Sequence, residues 1–319
     1  MMEKKSTFDL VSDDSDHRFR HHKFHKNCFT ASNSFACRRI MNEWKLLAKD
    51  LPDSIHVQVY EHRIDLLRAA IVGSPGTPYQ DGLFFFDIAF PTDYPFKPPK
   101  IHYISFGYQL NPNLYPSGTV CLGLPNTWKA DKLMSWTPAI TILTVLLSIQ
   151  AIVLNEKPLF NNPTYSLSDY SLMESKARAY NASVFVLTCY SSVCLIQKPP
   201  KNFEEFVIEH FRERGHAILD ACKEYANGRV RAGHYGYDNM AVVKVTESFQ
   251  ASLQIAYRNM YKKFLECGAS LENFVEELEV KVKVPEQGKR SNGGNEILAK
   301  AMGKSKQALG WKKNKKNST

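Results

Sequence analysis

The sequence lacks the cysteine spacing of a disulfide framework. Its seven cysteines are an odd number in no paired pattern, which excludes the small secreted scaffolds that depend on cross-links. No segment has the layout of a signal peptide. The apolar run Ala139–Leu154 is too short to cross a bilayer and contains Thr141, Thr144, Ser148 and Gln150. No internal repeat is present. His21, His22, His25, Cys28 and Cys37 lie near one another in sequence, but their spacing fits no zinc-ligand template, so no metal is expected. Together these absences point to a reducing compartment, cytoplasmic or nuclear, in which a reactive thiol survives.

The chain does have enough apolar material for a sizeable core, 44% of 319 residues. Its net charge of +9 is unevenly placed: residues 281–319 hold eleven Lys and Arg against two Glu, and the rest of the chain balances. That stretch is also rich in Gly, Asn, Ser and Gln. It reads as a basic disordered tail that either solubilises the chain or addresses it to the nucleus or an acidic partner. Since the body is neutral, nucleic-acid binding is not expected. Residues 1–35 read as a disordered polar arm, 36–165 as a catalytic core, 166–280 as a helical extension and 281–319 as the tail.

Periodicity fills in the core. Ile40, Trp44, Leu47 and Leu51 make one apolar stripe on a helix from about Ala36 to Lys49. Strands follow at Ile55–Tyr60, Leu66–Ile71, Leu83–Phe90 and Lys100–Tyr103. The turn signals Gly73-Ser-Pro-Gly76 and Asp81-Gly82 separate them, and no helix-sized gap intervenes. This is the pattern of an antiparallel four-stranded meander. Pro138 suits the first turn of a long helix running through Val153. Further helices read at Leu167–Cys194, Phe203–Tyr225, Val243–Glu266 and Leu271–Leu278, with Gly268 to stop the fourth and Ser270 to cap the fifth.

One stretch carries chemistry. Asn111-Pro-Asn-Leu-Tyr-Pro-Ser-Gly-Thr-Val-Cys-Leu-Gly123 places Cys121 just after a turn-rich segment that contains Asn113. A thiolate and a fixed amide donor are the minimal kit for acyl transfer: a nucleophile, and a hydrogen bond for the oxyanion it generates. Taken alone, Asn113 equally suits closing the turn. Cys189, Cys194, Cys222 and Cys267 lie among hydrophobes at helical positions and read as core thiols.

Around this stretch stand Phe90-Pro-Thr-Asp-Tyr-Pro-Phe-Lys-Pro-Pro-Lys-Ile101 before it and Trp136-Thr-Pro-Ala-Ile-Thr-Ile142 after it. In that order, from about Ala36 to Pro163, the chain resembles the ubiquitin-conjugating (E2) family. Gly76-Thr-Pro-Tyr-Gln-Asp-Gly82 and Lys198-Pro-Pro-Lys-Asn-Phe203 are similar to an enlarged branch that includes hybrid conjugating enzyme–ligases and large plant enzymes. The resemblance implies an α+β ubiquitin-conjugating fold. It implies a Cys121 thioester loaded by an activating enzyme and discharged to lysines of protein substrates, with or without a ligase. No cofactor is implied, because the activating enzyme consumes the ATP.

By the same resemblance Asn113 serves the oxyanion or the turn; Tyr115, in the stretch just before the cysteine, is counted with the catalytic residues. Phe96, Pro138 and Ala139 dock the ligase, Arg38 and Arg39 the activating enzyme, and Leu147 and Ala151 the donor ubiquitin. The chain departs from the family at Asn111, where a His is usual, which puts the local rigidity of the site in question. It departs again at Lys157, where many members carry an Asp, and leaves the adjacent Glu156 as a substitute. The segment between Cys121 and Trp136 is longer than in compact members, and Trp128 within it offers either a gate or an anchor. Tyr115–Leu122 also resembles the SUMO-conjugating enzyme. Two further readings therefore stay open: a carrier of another modifier such as SUMO, and an impaired adaptor that binds ubiquitin or a ligase.

Overall fold

The computed structural model describes residues 6–21, 35–121, 136–166, 170–229 and 245–278. The chain begins with strand β1 (Phe8–Val11) and helix α1 (Phe35–Asp50), followed by β2 (Ile55–Tyr60), β3 (Arg63–Val72), β4 (Leu83–Ala89) and β5 (Lys100–Tyr103). The helices are α2 (Ile142–Ser148), α3 (Pro163–Ser166), α4 (Tyr170–Gln197), α5 (Glu204–Ala226) and α6 (Glu247–Glu266). Strands β2 to β5 pair antiparallel in chain order, as the short connections dictate. β4 lies inside the sheet between β3 and β5, with every residue buried.

The sheet's two faces have different covers. Leu67, Ala69, Ile71, Phe84, Phe86 and Ile88 point inward and pack with Ile40 and Leu47 of α1 and Ile142, Val145 and Leu146 of α2. On the outer face, Ala70, Leu83 and Phe85 join the core of α4, α5 and α6. Phe203 meets Phe85 edge-on at 5.1 Å. Burying a ring of this size contributes about 1.5–3 kcal/mol. The extension is thus a second layer on the back of the sheet. By length and composition, Met173–Gln197 of α4 is apolar enough to cross a membrane, but most of it is buried within this layer.

The remainder of the outer face corrects the reading of residues 1–35 as disordered. Residues 6–21 are folded onto the sheet. β1 adds to β2 in parallel, so the sheet is mixed and five-stranded rather than a four-stranded meander. The segment beyond β1 crosses the buried Arg68 and Asp87. Arg68 forks onto Asp87 at 2.6 and 3.1 Å and reaches Asp16 at 2.7 Å. The Arg18 amide donates to Asp87 at 2.7 Å, and His17 Nε2 lies 3.1 Å from the Leu67 carbonyl oxygen. The same segment joins the two layers, because the Lys201 amide donates to Asp16 and Asn202 Nδ2 to the Asp13 carbonyl. A polar stretch folds here because it satisfies polar groups that the sheet has already buried.

Two helix expectations also change. The helix after the cysteine starts at Ile142 rather than Pro138. Thr141 caps it by accepting from the Thr144 amide, and Glu43 accepts from the Ile142 amide at 3.0 Å. Its last turn widens into a π turn at Ile149–Val153. Leu271–Leu278 is not helical. Leu271, Phe274 and Leu278 are buried, but the hydroxyls of Tyr257 and Tyr261 on α6 take the Val275 and Phe274 carbonyls. Gly268, at φ +81, ends α6 as read. The segments 22–34, 122–135 and 279–319, with the Trp128 loop and the basic tail, lie outside the described residues.

Two buried histidines, His17 and His210, and the half-buried His102 predict an acid dependence. Burial pushes His17, His102 and His210 below the ordinary 6.5. The unfolded chain then binds protons that the folded chain resists. Their contribution to stability is complete above about pH 6.5 and declines as pH falls through the folded-state values. A second loss follows below 3.8, where Asp87 takes its proton: burial raises that carboxyl, but Arg68 and His17 outweigh the effect and hold it low. The melting temperature is expected to hold from pH 7.5 to about 6.5 and to fall from there to 5.5, and a profile flat down to 5.5 would contradict this account.

Candidate active site

Cys121 closes a short flap. The flap starts at Asn111, turns through Pro112–Leu114 and Tyr115–Gly118, and returns so that Leu114 bridges Val120. The Cys121 amide donates to the Asn113 carbonyl at 2.8 Å, and the Tyr115 amide to the Thr119 carbonyl at 2.9 Å. One further bond fixes the flap to β5: the Tyr103 amide donates to Gly118 at 2.8 Å. Cys121 itself is half-buried, whereas Cys37, Cys189, Cys194, Cys222 and Cys267 are buried. Burial also pushes the thiols of Cys194, Cys222 and Cys267 up, away from thiolate chemistry. Among the described residues Cys121 is the thiol a large partner can reach.

Asn111 answers the question of rigidity. Its side chain is buried and central to a network. Its Nδ2 donates to the Tyr79 hydroxyl at 2.8 Å and to the Val153 carbonyl at 2.6 Å, and its Oδ1 accepts from the Asn113 amide at 2.9 Å. Asn161 Nδ2 donates to the same Oδ1 at 3.3 Å and to Val153 at 2.9 Å. Asn155 Nδ2 in turn donates to Asn161 at 2.9 Å. The Asn therefore ties the flap to the end of the central helix and to the 3₁₀ turn Pro158–Asn161. Sequence reasoning missed Tyr79 and Asn161. The signal for Tyr79 was its place in the Thr-Pro-Tyr-Gln-Asp-Gly run, which brings its hydroxyl under the flap to donate to the Leu110 carbonyl at 2.9 Å.

The remaining predicted residues fall as follows. Asn113 lies half-buried beside Cys121, and Tyr115 is exposed on the flap. Glu156 and Lys157 form an ion pair at 3.2 Å, both partly exposed. Asn155 Oδ1, accepting from the Lys157 amide at 2.9 Å, connects them to the Asn111 network. Pro138 and Ala139 are exposed, and Phe96 is 67% exposed and stands out as a knob. Trp136 Nε1 donates to the Pro95 carbonyl at 2.6 Å and brings their two loops together. Phe35 stacks on Phe96 at 5.7 Å and enlarges the knob.

Leu147 and Ala151 share an exposed face of the central helix with Ile152. Arg38 is exposed, but Arg39 is half-buried against Glu43 at 2.9 Å. Glu43, which sequence reasoning also missed, accepts from the Tyr94 hydroxyl at 2.8 Å as well as from Ile142. It locks α1, the Phe96 loop and the start of α2 into one unit.

The described residues thus put a half-buried thiol on a flap bonded to the sheet of an α+β domain that also exposes the apolar side chains of Phe96, Leu147 and Ile152. Residues 39–186 match the family model described as ubiquitin-conjugating enzyme. The chain is 46% identical over 223 residues to putative ubiquitin-conjugating enzyme E2 38 of Arabidopsis thaliana, covering 69% of this chain and 68% of that one. It is 43% identical over 262 residues to probable ubiquitin-conjugating enzyme E2 25 of the same plant, covering 81% and 42%. It is 32% identical over 235 residues to the human dual E2 ubiquitin-conjugating enzyme/E3 ubiquitin-protein ligase BIRC6, covering 69% and 5%. This chain belongs to the ubiquitin-conjugating enzyme family. It spans less than half the length of E2 25 and a small part of BIRC6.

Proposed function

We propose that the protein carries ubiquitin as a thioester on Cys121 and delivers it to lysines of protein substrates. The observation that carries this reading is the flap: a half-exposed Cys121 held by Asn113 in a domain of this family. The Cys121 thiolate attacks the ubiquitin carbonyl already activated as a thioester on the activating enzyme. A C–S bond forms, and the activating enzyme's thiolate leaves. A lysine amine then attacks the new thioester, the carbonyl oxygen becomes an oxyanion, and Cys121 departs as thiolate while the amine loses its proton. Asn113 stabilises that oxyanion, an effect worth about 10²–10³ in rate at sites of this kind. Glu156, paired with Lys157 at 3.2 Å, takes the part of the family's Asp in orienting the incoming amine in this reading.

In this reading Phe96, Pro138 and Ala139 receive a ligase, Arg38 and Arg39 meet the activating enzyme, and Leu147 and Ala151 receive the folded-back donor. The extension serves by packing on the sheet, and the work is done in the cytoplasm or nucleus with no bound cofactor. The test is a charging reaction with activating enzyme, ATP and either ubiquitin or SUMO, resolved on a non-reducing gel. A thiol-labile band with ubiquitin is expected. A band with SUMO alone reassigns the modifier, and no band with either makes the protein an adaptor.

A further inference from the structure

A polar row crosses the outer face of the sheet and ends in the active-site flap. Arg68 of β3 pairs with Asp87 of β4, Asp87 with His102 of β5, and His102 with Thr119, two residues before Cys121. At the end of the row the imidazole of His102 lies directly under Gly118. A Cβ at Gly118 would sit 2.0 Å from His102 Cε1 and 2.5 Å from each ring nitrogen, and the glycine holds φ +85. The ring and the flap backbone are therefore in contact with no room between them. On its other side the ring meets Phe19 of the N-terminal segment edge-on, at 6.4 Å. That segment is held in turn by His17, Arg18 and Asp16 on the buried Arg68–Asp87 pair.

We infer that His102 is a positioning residue for the reacting thiol, setting the height of the Tyr115–Thr119 turn over the sheet, and that Phe19 holds the imidazole in place. Taken together, residues 6–21 are a working part of the site, acting through His102. This inference rests on the carrier reading for its main assay. Shifts of the order of an ångström at a reacting centre are expensive, about 10²-fold in unfavourable cases, so a flap resting on one ring is sensitive to that ring. Burial and the neighbouring Arg18 and His17 keep the imidazole uncharged, against the pull of Asp87.

The test uses the full chain with His102→Ala, His102→Gln and Phe19→Ala, in single-turnover charging by the activating enzyme with ubiquitin. His102→Ala is expected to lower the maximal rate about tenfold and Phe19→Ala about threefold, while the half-saturating activating-enzyme concentration stays within about twofold. His102→Gln, which keeps a flat polar group under Gly118, should restore most of the loss. Alkylation of Cys121 by iodoacetamide, followed by peptide mass, needs no ubiquitin. It should change by more than about twofold in the same direction for the Ala variants. If wild type does not charge but alkylation responds as stated, the carrier reading fails and the positioning role stands. Where His102→Ala does not fold, Phe19→Ala decides. Rates within about twofold of wild type in both assays, with or without a loss of stability, overturn the inference.

Discussion

Asp87→Ala is expected to destabilise the protein by about 3–5 kcal/mol, the usual result of removing one partner from a buried ion pair. Arg68 is fully buried, and its guanidinium would lose two of its hydrogen bonds and keep only Asp16. The Arg18 amide and His17 would lose the same carboxylate. The N-terminal segment should then detach from the sheet and become protease-sensitive before the core unfolds. Replacing both charges, as in Arg68→Met with Asp87→Leu, should recover much of the loss, since the large term is the orphaned charge and not the net worth of the pair. Urea denaturation at pH 7 measures both variants. A loss below about 1 kcal/mol for Asp87→Ala would show that Arg68 finds solvent or another partner.

Asn111→Ala is expected to remove about 2–4 kcal/mol, from two donated and two accepted hydrogen bonds at a buried position. The effect should reach function as well as stability. Without Asn111 the flap loses its attachment to the central helix, and the Val153 carbonyl and Tyr79 hydroxyl lose a donor. Charging is expected to slow by about tenfold at a temperature where the variant remains folded. Asn111→His should also fall short of the wild type, because Tyr79, Val153 and Asn161 are arranged around an amide. A variant that melts with the wild type and charges at the wild-type rate would contradict the network.

Much of this was readable in the chain, and the failures have a common physical cause. α1 and β2 to β5 followed from apolar period and turn chemistry, which are local. The flap was legible because Asn-Pro-Asn and Ser-Gly are local turn signals with Cys121 at the end. Residues 6–21 were not legible, since their polar side chains look solvated until Arg68 and Asp87 are seen on one face of adjacent strands. An Arg and an Asp at outward positions of two otherwise apolar strands were the available signal. Leu271–Leu278 had helical spacing but not helical hydrogen bonds, because tyrosines on α6 hold its carbonyls. Pro138 had the right chemistry for a helix start, but capping by Thr141 and Glu43 moved that start to Ile142. Apart from the local Thr141 cap, the partners that decide these cases lie distant in sequence.

The central claim is that ubiquitin is bonded to the sulfur of Cys121. The measurement that tests it most directly compares wild type, Cys121→Ser and Cys121→Ala after charging, with each adduct challenged by dithiothreitol and then by hydroxide. The account predicts a wild-type adduct cleaved by dithiothreitol. It predicts a Cys121→Ser adduct that resists thiol and yields to hydroxide, as an oxyester does because alkoxide is the poorer leaving group, and no adduct on Cys121→Ala. A dithiothreitol-sensitive adduct on Cys121→Ala would place the bond on another cysteine and contradict the account.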